Sequence, residues 1–124
     1  MGIDDIKRTS LLCDFYGRLL TERQREVMRL YHEENLSLSE IAAEFAISRQ
    51  GVHDALKNAE RYLKEYEGKM GLVERFQRSS QAIREIDVIM DRTISSLANE
   101  DTEAAENAAR DLKEVKDIID KLEE

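Results

Sequence analysis

The sequence predicts an all-α protein in two parts, and three observations predict it. The 124 residues include no proline and only five glycines, so little interrupts a helix. Apolar residues recur at three- and four-residue spacing along most of the chain. Two Ser/Thr-x-x-Glu/Gln boxes, and a third serine, stand just ahead of such runs, where helices begin. The parts meet near Gly71, dividing a domain of residues 1–70 from an extension of residues 71–124.

In chain order, the first helix is expected over residues 4–20, capped by Asp4 or Asp5, with Leu12, Phe15, Tyr16 and Leu19 on its apolar face. Thr21 and Gln24 form a capping box that opens a second helix to about Glu33, with Val27, Met28, Leu30 and Tyr31 as contacts. Ser37 and Glu40 form another, opening a short helix that holds Leu38, Ile41, Ala42 and Phe45. Ala46, Ile47 and Ser48 make a tight turn. Ser48 then caps a fourth helix bearing Val52, Ala55, Leu56, Ala59, Leu63 and Tyr66, which Gly68 and Gly71 loosen or end.

The extension follows a different period. Leu72, Phe76, Ile83, Ile86, Met90 and Leu97 fall on alternating three- and four-residue steps, with Ser79 and Thr93 at the matching polar places. Asn99 through Thr102 reads as a turn with capping residues. The steps resume through Ala105, Ala108, Leu112, Val115, Ile119 and Leu122. Heptad patterning over two helices predicts a helical hairpin within one chain or a coiled coil with a second chain, and a homodimer is the favoured expectation.

Charge limits the function. The chain holds 19 Lys/Arg and 27 Asp/Glu, a net −8. Residues 1–70 account for 11 against 13 and residues 71–124 for 8 against 14, so the two parts carry −2 and −6. Nucleic-acid affinity comes largely from neutralised phosphates, so in an acidic chain it must reside in a local basic stripe. The single cysteine, Cys13, excludes an intrachain disulfide and fits a reducing compartment. No apolar run approaches the roughly 20 residues of a membrane span, and no secretory signal is visible. A cytoplasmic protein without membrane contact is expected. There is no phosphate-cradling glycine loop. Cys13, His32 and His53 lie on separate elements and make no metal constellation, and the paired acids lack an apolar pocket. Neither an enzyme nor a cofactor is expected.

The informative segment is the pair of helices around residues 38–66, which reads as a helix-turn-helix. Such a motif needs a small residue where its helices touch, supplied by Ala42, and a permissive turn with an apolar plug, supplied by Ala46 and Ile47. Glycine is usual at the place of Ala46, where positive φ is expected, and alanine there costs on the order of 1 kcal/mol. On the outward face of the second helix, Arg49, His53, Lys57, Arg61 and Lys64 follow at spacings of three or four, with Gln50 beside the start. Residues 47–64 hold four Lys/Arg against Asp54 and Glu60, net +2. Arg49 and Gln50 stand where base edges are usually read, arginine suiting guanine and glutamine adenine. Lys57, Arg61 and Lys64 suit phosphates. The competing interpretation is an ordinary solvated face.

The runs Leu20 to Val27, Leu36 to Ala42 and Phe45 to Arg49 resemble region 4 of bacterial sigma factors. With Phe15-Tyr16 ahead of Leu19-Leu20-Thr21, Ser48 to Asp54, and Tyr66-Glu67, residues 6–76 more closely resemble the YlxM family of small helix-turn-helix proteins. The fold implied is a sigma region 4-like helix-turn-helix bundle. At positions 51 and 53 that family leads one to expect alanine and an aromatic residue, where this chain has Gly51 and His53. The family is bacterial, largely Gram-positive, with genes beside those of the signal recognition particle GTPase and its receptor. The resemblance thus implies an accessory or regulator of that pathway, binding the targeting GTPase, the particle's RNA, or both. A DNA-binding transcriptional regulator using Arg49, Gln50, His53 and Lys57 is the alternative. A protein-interaction module whose motif no longer reads DNA is a third.

Overall fold

The computed structural model describes residues 2–98 and 102–122. Six α-helices follow one another: α1 (Ile3–Tyr16), α2 (Glu22–His32), α3 (Leu38–Phe45), α4 (Arg49–Met70), α5 (Leu72–Leu97) and α6 (Thr102–Leu122). The chain divides into two compact units, one ending at Val73 and the other beginning at Glu74.

Both capping boxes form. The Gln24 and Thr21 amides exchange 3.1 Å bonds with the partner's side-chain oxygen, and those of Glu40 and Ser37 do the same. Each box satisfies two amides that a helix start leaves without partners. The first helix departs from expectation. It ends at Tyr16, and a 3-10 turn over Gly17–Leu19 delivers an extended Leu20, whose N–H donates to the Gly17 carbonyl at 3.1 Å. That turn drops Leu20 into the core and leaves Leu19 at the surface, 55% exposed, while Phe15, still within α1, is 39% exposed. Asp4 and Asp5 do not cap α1. Gly2 holds the cap position, and the two carboxylates sit within the first turn, against the positive end of the helix dipole.

The first unit closes around Leu12, Tyr16, Leu20, Val27, Met28, Leu30, Ile41, Ala42, Val52, Leu56, Ala59, Leu63 and Val73. Leu38 and Phe45 are only half-buried at its rim, and the Phe45 ring carries the Arg23 guanidinium 5.1 Å from its centroid. At the far end of α4 the helix passes Gly68 and stops at Gly71, whose φ of 62° supplies the left-handed cap. There a buried polar cluster ties three elements together. The Tyr16 hydroxyl donates to Glu67 Oε1 at 2.6 Å and accepts from the Leu72 N–H at 3.0 Å, while the Val73 N–H donates to the same Glu67 oxygen at 2.9 Å. The first two amides of α5 are thus answered by side chains of α1 and α4.

The second unit is an antiparallel pair. Arg92 of α5 grips Asp111 of α6 with two bonds, at 2.8 and 3.2 Å, and Glu114 lies 3.5 Å from its guanidinium. Arg75 and Arg78 lie beside Lys121 and Leu122, so the register runs in opposite directions. The contact seam is not the heptad stripe expected from sequence. Ala82, Ile86, Ile89 and Thr93 face Ala104, Ala108, Asp111, Val115 and Ile118, all buried or half-buried. Of the expected residues, Ile86, Thr93, Ala108 and Val115 join that seam. Ile83, Met90, Leu97, Ala105, Leu112 and Ile119 stay exposed on an adjoining face. The Thr93 hydroxyl is 2.8 Å from the Ile89 carbonyl and 3.1 Å from Asp111 Oδ2, sharing one proton between two acceptors. The expected turn from Asn99 lies outside the described residues up to Thr102, where α6 begins.

Tyr16→Phe should lower stability by about 1–3 kcal/mol in urea titration, because the Leu72 N–H and a Glu67 oxygen lose a partner in a buried site. The wild-type chain should weaken at high pH. Burial and the Glu67 hydrogen bond raise the Tyr16 phenol above its usual 10.0, and burial with the Asp14 and Glu33 charges lifts the Cys13 thiol to about 11. Both groups ionise first in the unfolded chain, so their contribution is complete below the ordinary thiol value of 9.0 and is lost as pH rises through about 11. A thermal midpoint that stays level between about pH 8 and 11 would contradict this.

Candidate nucleic-acid interface

α3, its turn and α4 build the candidate surface from local rules. Ala46 has φ 54° and ψ 42°, the left-handed conformation expected there despite its Cβ. Its N–H donates to the Ala43 carbonyl at 3.3 Å and that of Ile47 to Ala42 at 3.1 Å, the paired bonds of a Schellman ending. Ser48 then accepts the Gly51 N–H on its hydroxyl at 3.0 Å. Gly51 has a reason to be there. A Cβ at that position would come 3.2 Å from Ser48 Oγ and 3.7 Å from Ile47 Cδ1, crowding the cap.

Val52, Leu56, Ala59 and Leu63 lock one side of α4 into the core. The opposite flank is exposed at all six positions picked out from sequence: Arg49, Gln50, His53, Lys57, Arg61 and Lys64. They do not form one cluster. Arg49, Gln50 and His53 share the first turns, whereas Lys64 lies about 22 Å further along the helix axis. Their pairing differs too. Gln50 Nε2 donates to Asp54 Oδ1 at 2.9 Å, and His53 Nδ1 is 3.5 Å from the same oxygen. Lys57 Nζ is 3.8 Å from Glu60 Oε2, and the Arg61 guanidinium lies 5.2 Å above the Tyr62 ring. Arg49 and Lys64 make no ion pair among the described residues.

Two acidic residues beside the candidate positions count in the sequence only as charges. Asp54 accepts a hydrogen bond from Gln50 and lies 3.5 Å from His53 at the start of α4. Glu60 faces both Lys57 and, at 3.9 Å, His32 of α2. The four-residue step from Gln50 to Asp54 and the three-residue step from Lys57 to Glu60 were the available signals. Among the described residues no three His, Cys, Asp or Glu side chains gather as a metal site, and no helix is long and apolar enough to cross a membrane.

The chain that folds into this capped α4, left-handed turn and short α3 has relatives in sequence. A sequence family described as "Putative helix-turn-helix protein, YlxM / p13 like" matches residues 3–124. The chain belongs to this YlxM/p13-like family. A UPF0122 protein of Desulforamulus reducens is 41% identical over 110 residues, covering 89% of this chain and 94% of its own length. One from Symbiobacterium thermophilum is 45% identical over 94 residues, covering 76% and 88%. One from Bacillus thuringiensis is 36% identical over 121 residues, covering 98% and 99%. The match of the YlxM/p13-like family reaches through α5 and α6, well past the residues 6–76 that carry the resemblance in sequence. Its description is that of a helix-turn-helix protein.

Ser48→Ala should cost about 0.5–2 kcal/mol, the usual loss at an N-cap. Because the cap orients the first turn of α4, amide exchange at Gly51 and Val52 should accelerate while that at Leu63 follows only the global change. Uniform acceleration would show that the cap does not act locally.

Proposed function

We propose that this YlxM/p13-like chain is a regulatory protein of the bacterial signal recognition particle pathway, binding the targeting GTPase, the particle's RNA, or both. The pathway comes from the family resemblance. The observation in favour of this class of target is the self-tied flank of α4. Asp54 holds Gln50 and neighbours His53, and Glu60 neighbours Lys57, in a chain of net −8. Among the described residues only Arg49, Arg61 and Lys64 of this flank are without an acidic partner, too few cations for strong generic attraction to a duplex. Such a surface suits a target recognised by shape and hydrogen bonding. RNA loops meet that description, since their unstacked bases offer hydrogen bonds and the deep groove of an RNA helix excludes an α-helix. An acidic or polar protein surface meets it too.

DNA binding by the helix-turn-helix is the second reading. It is favoured by the open, capped start of α4, where Arg49 is exposed and without an ion pair among the described residues and Gln50 is exposed beside it.

Purified wild-type protein and the variant R49A/K57A/R61A, titrated against the particle's RNA, the targeting GTPase and duplex DNA, separate the readings. The proposal expects binding to the RNA or the GTPase, weakened at least about tenfold in the variant, with duplex DNA competing poorly. The DNA reading expects Arg49→Ala to cost about 1–3 kcal/mol and relax sequence preference, and Lys57→Ala and Arg61→Ala each to lower the salt slope by about one unit. Unchanged affinity and salt dependence for every partner would make this flank an ordinary solvated face and overturn the site.

A further inference from the structure

The hairpin of α5 and α6 spends only one side of each helix on its own seam. Beside that seam a second apolar face runs its length: Ile83, Met90 and Leu97 on α5, and Ile119, Leu112 and Ala105 on α6. The five large side chains are 38–60% exposed, from Met90 to Ile83. Helical geometry puts the two rows on the same side of the hairpin, because α5 and α6 are antiparallel and each row is displaced from its seam in the same sense. The antiparallel register, fixed by Arg92 against Asp111, also sets the rows level: Ile83 with Ile119, Met90 with Leu112, and Leu97 with Ala105. Successive levels are seven residues apart on both helices, the repeat that packs one helix against another.

We propose that a second copy of this chain covers this face, two hairpins closing into an antiparallel four-helix bundle. The face repeats in three level layers, so a two-fold axis along the bundle sets each layer against itself and places α5 of one copy beside α6 of the other. Charge agrees with that pairing and not with α5 against α5. Asp87 borders the face on α5, Lys116 borders it at the same level on α6, and Asp91 and Lys113 stand next to them further out. All four are exposed and have no ion-pair partner within the chain among the described residues. In the bundle Asp87 of each copy meets Lys116 of the other. The three levels span about 21 Å and two helix widths, roughly 420 Å² before side-chain relief is counted, so the charged pairs flanking the face must join the contact for it to approach the ~800 Å² per partner of a stable interface. Both Gly71 linkages to the helix-turn-helix units then lie at one end of the bundle.

Sedimentation equilibrium of the full chain tests this. The wild-type chain should be a dimer at low micromolar concentration, and M90E/L112E should be a monomer with unchanged helical circular dichroism, since both positions lie outside the intrachain seam. D87K and K116D should each weaken the dimer about tenfold, and D87K/K116D should restore it, because two symmetric contacts are reversed together. A wild-type chain that stays monomeric at high micromolar concentration would give the face to a different protein and overturn the proposal, as would a dimer that survives M90E/L112E. Charge reversals that leave the dimer intact, or a double variant that fails to restore it, would overturn the pairing of α5 with α6.

Discussion

The first unit hangs on one buried polar contact, the Tyr16 hydroxyl against the Glu67 carboxylate, 2.6 Å apart and 51 residues distant in sequence. A carboxylate out of water costs several kcal/mol unless it is fully bonded, and here its oxygen accepts from a phenol and from the Val73 amide. The contact fixes how far α1 reaches along α4, so it also fixes where α4 must end and α5 begin. Gly71 makes that ending possible, with a positive φ that few other residues adopt cheaply. The start of α4 is set by the opposite constraint, a left-handed Ala46 and a serine cap. One helix is therefore clamped at both ends by different chemistry and along its middle by Val52, Leu56, Ala59 and Leu63.

Much of this was legible because it is local. The capping boxes at Thr21 and Ser37 are reciprocal bonds within four residues, so residue identity and spacing suffice to foresee them. The left-handed Ala46 was foreseeable from its place between a short apolar helix and a capping serine, although its side chain argues against it. The six exposed positions of the candidate interface followed from the core positions, since in an amphipathic helix one set determines the other.

What escaped the sequence was long-range or degenerate. Nothing near Glu67 announces Tyr16, and the carboxylate reads as one more surface acid. The end of α1 was misplaced because Phe15 and Leu19 keep the helical period while the chain has already turned at Gly17. In the extension, two apolar stripes lie side by side on each helix, and periodicity alone does not rank them. The stripe of Ala82, Ile86, Ile89 and Thr93 forms the intrachain seam, where Ala82 meets α6 and Ala104 and Ala108 let α5 approach, and where Arg92 finds Asp111. At the interface, spacing located Asp54 and Glu60, but only the side-chain geometry showed that they restrain neighbours otherwise available to a ligand.

The clamping of α4 has an entropic consequence. The backbone of its first turns is ordered when the protein folds, by the cap and by Val52, and not when a ligand arrives. A partner docking at Arg49 therefore immobilises only side chains, at about 0.5–1.5 kcal/mol for each long one, and orders no backbone. Gln50, already held by Asp54, loses least of all. Arg49 and Lys64, long and without an ion pair among the described residues, would lose most if a partner ordered them.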